Sequence, residues 1–188
     1  IMDKVGRAGA SHTLFGVLRA GDQRFHAHPA ARERELEPGD LVGVDFGAVF
    51  DGYGSDVARM AIVGEASDLQ AEMYDKHRRV QRRAVECMRA GVRASEVYEV
   101  CVQAYADFGI ELPGPHVGHG FGLSLHEAPM LQPRNSQELR SNMLIYIEPV
   151  IVDERVGALQ LEDLILVKED GAEILTTYAD TEELFVIQ

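Results

Sequence analysis

Four acidic residues, Asp45, Asp56, Glu148 and Glu162, stand inside apolar, β-rich runs, where an unpaired carboxylate is costly. Asp51-Gly52 joins the runs that carry the first two, and Asp-Gly between such runs is a strong two-residue hairpin signal. With that loop, Asp56 lies opposite Gly47, on the same sheet face as Asp45. The two aspartates become diagonal neighbours with Cα atoms roughly 7–8 Å apart. The stretch Met143–Val167 repeats the arrangement around a polar turn centred near Arg155, which sets Glu148 opposite Glu162. Two carboxylates converging from one face call for a cation between them. Solvent-side positions on half-exposed strands are the plain alternative for any one of these acids. Two hairpins that each place an acid pair on one face argue against it.

The segment Gly114–Leu131 adds His116, His119 and His126 among glycines that let the backbone pass close to another group. Imidazole is a metal ligand and a proton carrier near neutral pH. Four carboxylates and an imidazole form an oxygen-rich donor set, suited to a pair of Mn²⁺, Fe²⁺ or Co²⁺ ions rather than to a thiolate zinc site. Two such ions bridged by carboxylates are a hydrolytic device. A phosphate-binding loop is the competing reading of the glycines, but the pattern fits neither G-x-G-x-x-G nor a P-loop, and no Lys follows. His12 and His77 read as structural.

These residues need a scaffold of sheet and helix. Thr13–Leu18 and Arg24–His28 read as strands, and Glu37-Pro-Gly-Asp40 as a turn into the first hairpin. Ser67-x-x-Gln70 is a capping box that opens a helix with apolar residues at helical spacing, stopped by Gly91. A second helix starts near Ser95 and ends by Gly109. Short strands follow around His116–Leu125, Met143–Val152, Leu159–Lys168, Glu173–Leu175 and Glu182–Ile187. The layout is α+β.

The chain of 188 residues suffices for one domain with a core. Its net charge of −13 argues against nucleic acid and anionic membranes as partners. Cys87 and Cys101 both fall in helical segments without metal-type spacing, so no disulfide framework is expected. The longest apolar runs, such as Met143–Ile147, are too short to span a bilayer, and no signal-peptide pattern opens the chain. The first residue is Ile, so the expectation is an internal piece of a longer polypeptide, located in the cytoplasm.

From about Gly9 onward the chain resembles the pita-bread metallopeptidases: methionine aminopeptidase, aminopeptidase P and prolidase. The resemblance rests on an ordered set: Asp45, Asp56 eleven residues on, Gly-His-Gly with His-Glu-x-Pro seven residues after its His, then Glu-Pro, then Glu-Asp. It implies a creatinase/aminopeptidase fold, a curved antiparallel sheet flanked by helices. It also implies two divalent metals, Mn²⁺ foremost, with Co²⁺, Fe²⁺ or Zn²⁺ as alternatives. By the same likeness Asp45, Asp56, His119, Glu148 and Glu162 are metal ligands, and Glu162 bridges. Glu148 would also move the proton, with His126 and His28 catalytic. His28, His116 and His126 would meet the substrate. Residues 1–188 would be the catalytic domain, without the family's N-terminal helices or any N-terminal domain, and the protein a homodimer.

"GDLVGVDFGAVFDGYGSDVAR" and "LEDLILVKEDGAEILT" are more similar to aminopeptidase P or prolidase than to methionine aminopeptidase. The implied activity is removal of the residue ahead of proline from a peptide. A creatinase-like hydrolase of a non-peptide C–N bond, and an inactive binding module on the same fold, are the rivals. Several positions depart from the family pattern. Ala58 and Met60 stand where Thr is frequent, Val150 where Gly follows Glu-Pro, and Gln160 where an Arg precedes the last Glu by two residues. Arg59 reads as a structural partner of a carboxylate. A neutral amide at 160 leads to the expectation that a dipeptide's free carboxylate is held less well than in a prolidase.

Overall fold

In the computed structural model, residues 2–26, 29, 30, 32–112, 114–177 and 181–188 are described. The first acid pair sits on a hairpin whose turn is set by Asp51 and Gly52, both at positive φ (49° and 88°) as a two-residue type I′ loop requires. Strand β1 (His12–Arg19) pairs with β2 (Leu41–Phe50), which turns into β3 (Tyr53–Gly54) and continues as β4 (Val57–Val63). Phe50 faces Tyr53 and Asp45 faces Ala58, so the register read from the Asp-Gly turn holds along the ladder. The last strand, β11 (Phe185–Ile187), joins β4 in parallel at the far edge of this sheet.

The second hairpin runs through β6 (Leu144–Ile147), β7 (Val150–Asp153), β8 (Gly157–Gln160) and β9 (Asp163–Val167). Val150 faces Gln160 and Ile147 faces Asp163, so a single register spans both halves. Its β6 and β9 join β5 (Gly118–Gly120) and β10 (Ala172–Ile174) in the order β10-β9-β6-β5, antiparallel throughout, while β7 and β8 pair as a separate two-stranded ribbon.

Helix α2 (Asp68–Cys87) opens with the capping box: the Gln70 N–H donates to Ser67 Oγ, and the Ser67 N–H to Gln70 Oε1. It ends at Cys87, short of Gly91, because Met88 is already extended. Helix α3 (Ala94–Ala106) ends ahead of Gly109, which takes positive φ. Val80, Ala84, Val97, Cys101 and Tyr105 of these helices pack with Ile145, Ile147, Leu159, Leu161 and Ile165 in one core. Each such aliphatic side chain contributes about 1.5–3 kcal/mol on burial. Cys87 and Cys101 are free thiols. No helix among the described residues is long and apolar enough to cross a membrane.

A short helix, α1 (Met2–Arg7), precedes β1, which the sequence reading did not mark. The expected strand Arg24–His28 is not formed over its described part. Gly21–Gln23 is a turn of 3₁₀ helix, and the Arg24 carbonyl accepts the Ala158 N–H, which docks this segment on β8. The strand expected at His116–Leu125 is only β5, because Gly120 turns to bond Glu127.

His77 is structural, as expected. It is fully buried, its Nε2 accepts the Leu161 N–H at 3.1 Å, and its Nδ1 lies 2.6 Å from Tyr105 Oη. Burial holds its imidazole neutral, down at about 3. We expect His77→Leu to leave two buried polar groups without partners and to cost about 1–3 kcal/mol. Thermal melting reads this as a fall of about 2–4 °C per kcal/mol. An unchanged melting temperature would show that the two bonds carry no net stability.

Candidate metal centre

Asp45 lies within the β2 ladder, whereas Asp56, Glu148 and Glu162 lie in breaks between the strands. The Asp56 N–H leaves the first sheet and donates to Tyr146 Oη at 3.0 Å. The Glu148 N–H donates to the Val117 carbonyl at 2.8 Å, and the Glu162 N–H to the Ala58 carbonyl at 3.2 Å. The Asp56 and Glu162 bonds stitch the two acid-bearing hairpins together, while the Glu148 bond extends the pairing of β5 with β6. Gly118 and Gly120 permit the close approach of β5, since a Cβ at either would fall within 2.5 Å of the Tyr146 or Ala128 carbonyl oxygen. Between them His119 is fully buried.

His119 Nδ1 lies 3.0 Å from the Gly120 carbonyl, which can only accept, so the ring proton sits there and Nε2 presents its lone pair inward. That Nε2 stands 3.8 Å from Asp56, 3.6 Å from Glu148 and 3.9 Å from Glu162. Oxygens of Asp45, Asp56 and Glu162 lie within 4.8 Å of one another. The structure thus brings together all five residues singled out as ligands. His126 is exposed at the rim, its ring centroid 4.3 Å from that of His119, and His116 Nδ1 is 3.6 Å from Glu148 Oε1. His28 lies outside the described residues.

Burial, and then the charges of neighbouring acids, push Asp56, Glu148 and Glu162 well above the usual carboxylate range. Burial lowers His119 to about 4 and moves His116 down as well. Asp56 Oδ1, His119 Nε2, Glu148 Oε1 and both Glu162 carboxylate oxygens are buried without a hydrogen-bond partner among the described residues. Buried polar atoms are ordinarily paired. An oxygen-rich set of unpaired acceptors with one imidazole, converging on one point, fits divalent metal ions.

Sequence reading missed Arg19, at the end of β1. It is 5 % exposed, and its Nη2 donates to Gln160 Oε1. Gln160 Nε2 in turn donates to Asp45 Oδ2 at 3.1 Å and to Glu148 Oε2 at 3.3 Å. Burial lowers Arg19 from its usual value, while Asp45 and Glu148 act the other way. The premise that position 160 leaves the site without a fixed positive charge is therefore corrected: the guanidinium arrives from another strand. Alternation was the available signal, because Val17 pairs with Asp45 and Arg19 shares its face. Arg59 instead holds Asp163 at 2.6 Å and the Glu162 carbonyl at 2.5 Å, a structural partner as expected. Phe15, Phe25, Leu125, Val150 and Val152 wall a cavity of about 390 Å³ that opens onto the acids.

An α+β sheet assembly enclosing a buried carboxylate–histidine cluster defines the class, a metal-binding domain with an apolar cavity. Solved structures share its fold. The chain superposes with a TM-score of 0.91 on the dipeptidase PepE of Mycobacterium ulcerans, at 31% identity over 99% of this chain and 50% of that one. It superposes equally, at 0.91 and 31% identity, on the X-Pro aminopeptidase of Thermotoga maritima, over 99% of this chain and 53% of that one. The chain belongs to metallopeptidase family M24, whose model matches residues 2–169, and its fold is the pita-bread fold. The Xaa-Pro dipeptidase of Pyrococcus furiosus is 34% identical over 170 residues, 89% of this chain and 49% of that protein. The chain spans about half the length of the curated relatives it matches.

Proposed function

We propose that residues 1–188 form the catalytic domain of a metal-dependent exopeptidase acting at Xaa-Pro bonds. The observation that carries this reading is the convergence of Asp45, Asp56, His119, Glu148 and Glu162 beside a cavity with apolar walls, where acceptors of Asp56, His119, Glu148 and Glu162 have no hydrogen-bond partner among the described residues. The names of the relatives, Xaa-Pro dipeptidase and X-Pro aminopeptidase, support the substrate class. In this reading those five residues hold two divalent ions, Mn²⁺ foremost. Bound there, the ions lower the pKa of water and polarise a carbonyl. Glu148 takes the proton from the attacking water and returns it to the leaving amine. His126 and His116, at the rim, and His28 donate hydrogen bonds to the substrate carbonyl as charge develops on it. Phe15 and Phe25 exclude water from the bond being cleaved. A homodimer in the cytoplasm, with peptides as substrates and neither nucleic acid nor membrane as partners, completes the reading.

The test is turnover of a Xaa-Pro dipeptide, its amide and a Xaa-Pro tripeptide by the Mn²⁺-loaded protein and by its chelated form. We expect cleavage ahead of proline in at least one substrate and loss of activity on chelation. Activity that survives chelation would favour a metal-free hydrolase. A protein that binds Mn²⁺ and cleaves none of the three would favour the binding module.

A further inference from the structure

Arg19 lies on β1, a strand outside both acid-bearing hairpins but paired with β2, and its guanidinium is almost wholly buried against Gln160. Arginine offers only donors, so the Gln160 oxygen must face it and the NH₂ must face the acids. That NH₂ reaches one oxygen of Asp45 and one of Glu148, which belong to different hairpins. The other Glu148 oxygen, Oε1, is then the one turned toward His119 Nε2 at 3.6 Å. Room for the guanidinium is reserved in β2: Gly43 pairs with Arg19, and a Cβ there would stand 3.3 Å from Arg19 Nε.

We propose that Arg19 is a positioning residue of the metal centre: by locking the Gln160 amide it selects which oxygens of Asp45 and Glu148 face the metal ions. The inference rests on the reading of this cluster as a metal centre. In this role Arg19 acts through the Gln160 amide rather than on the water or the substrate. It polarises the amide, and a donor backed by a cation binds carboxylate more strongly than a neutral one. The carboxylates enter the centre already turned, so less ordering remains when the ions bind. Charge and donor are here separated onto two strands: the charge on β1, the carboxylate donor on β8.

The experiment is Mn²⁺ titration calorimetry on chelator-stripped protein, with melting temperature as the check on folding and kcat and KM as further readouts. Partners that orient metal ligands are typically worth 10–100-fold in affinity. Arg19→Gln should weaken Mn²⁺ binding about tenfold or more. Arg19→Lys, which keeps the charge but not the planar fork, should recover part of the loss. Gln160→Arg alone should also weaken binding, because two guanidiniums then face each other. The exchange Arg19→Gln/Gln160→Arg should bring affinity back to within about threefold of the natural protein, a non-additivity that contacting residues show. Should Arg19→Gln fail to fold, Gly43→Ala crowds the guanidinium and the Met60 sulfur without changing charge, and should weaken Mn²⁺ binding in the same direction. Unaltered Mn²⁺ affinity in folded Arg19→Gln, or in Gly43→Ala when Arg19→Gln cannot be read, overturns the proposal. So does an exchange variant no better than the sum of its parts. A raised KM with unchanged Mn²⁺ affinity would make Arg19 a substrate contact instead. A protein that binds Mn²⁺ but cleaves no Xaa-Pro peptide defeats the functional reading and leaves the Arg19 effect measurable. A protein that binds no Mn²⁺ overturns both.

Discussion

Glu148→Gln is expected to lower kcat by about 10²–10⁴-fold, the range that positioned proton transfer is worth. The fold should survive, because the new amide oxygen can still accept from Gln160 Nε2, now 3.3 Å from Glu148 Oε2. The chelated variant should melt no lower than the chelated parent. Glu148 is one of the carboxylates that burial and neighbouring acids disfavour in ionised form, and the substitution removes that repulsion. Mn²⁺ affinity should fall, since a neutral amide replaces an anionic ligand. Steady-state kinetics at saturating Mn²⁺, with melting curves of both forms, reads the three effects together. A folded variant keeping more than about a tenth of the parent kcat would remove Glu148 from the role of general base.

The metal-free protein is expected to lose stability as pH rises through neutrality, and bound Mn²⁺ to abolish that loss. Asp56, Glu148 and Glu162 are all raised when folded, so the native state holds protons that the unfolded chain has released. The unfolded state then binds fewer protons, and stability falls with rising pH until the folded groups have titrated. His77, His116 and His119 are lowered and oppose this most below about pH 6.5, the ordinary histidine value. Between about pH 6.5 and 8 that opposition fades and the carboxylates dominate the slope. Each extra proton held by the native state costs about 1.4 kcal/mol per pH unit, or about 2–4 °C of melting temperature per kcal/mol. About two Mn²⁺ per chain should raise the melting temperature most at the alkaline end and release protons on binding. A melting temperature indifferent to chelator, Mn²⁺ and pH across this window would remove the metal-centre reading.

The acid pairs and their registers were legible because local chemistry decides them. Asp51-Gly52 admits one tight loop, and alternation then places Asp45 and Asp56 on one face. The odd loop around Arg155 does the same for Glu148 and Glu162. Carboxylates inside apolar runs advertise themselves by their cost. Other features depend on contacts distant in sequence. Arg19 sits at the end of an apolar strand and reads as a solvated terminus until Gln160, 141 residues later, is placed beside it. Arg24–His28 has strand-like composition, yet Arg24 is claimed by the β7–β8 turn, where its side chain covers Gly157. Tyr146 lies in an apolar run, and only the break between β3 and β4 shows why it is Tyr rather than Phe: the hydroxyl accepts the Asp56 N–H.

Those ladder breaks also govern when the centre comes into being during folding. Neither hairpin can capture an ion by itself, because each contributes one acid, Asp56 or Glu162, whose backbone N–H is anchored on the other hairpin. Asp56 is tied to Tyr146, 90 residues away, and Gln160 to Asp45 across 115. Contacts of such separation incur their loop-closure entropy before they return any stabilisation, so they form late. Ions therefore cannot act as a seed around which the chain collects. They act as a clasp, closing on a molecule whose two halves have already met, and their hold should appear chiefly as slower unfolding rather than faster folding.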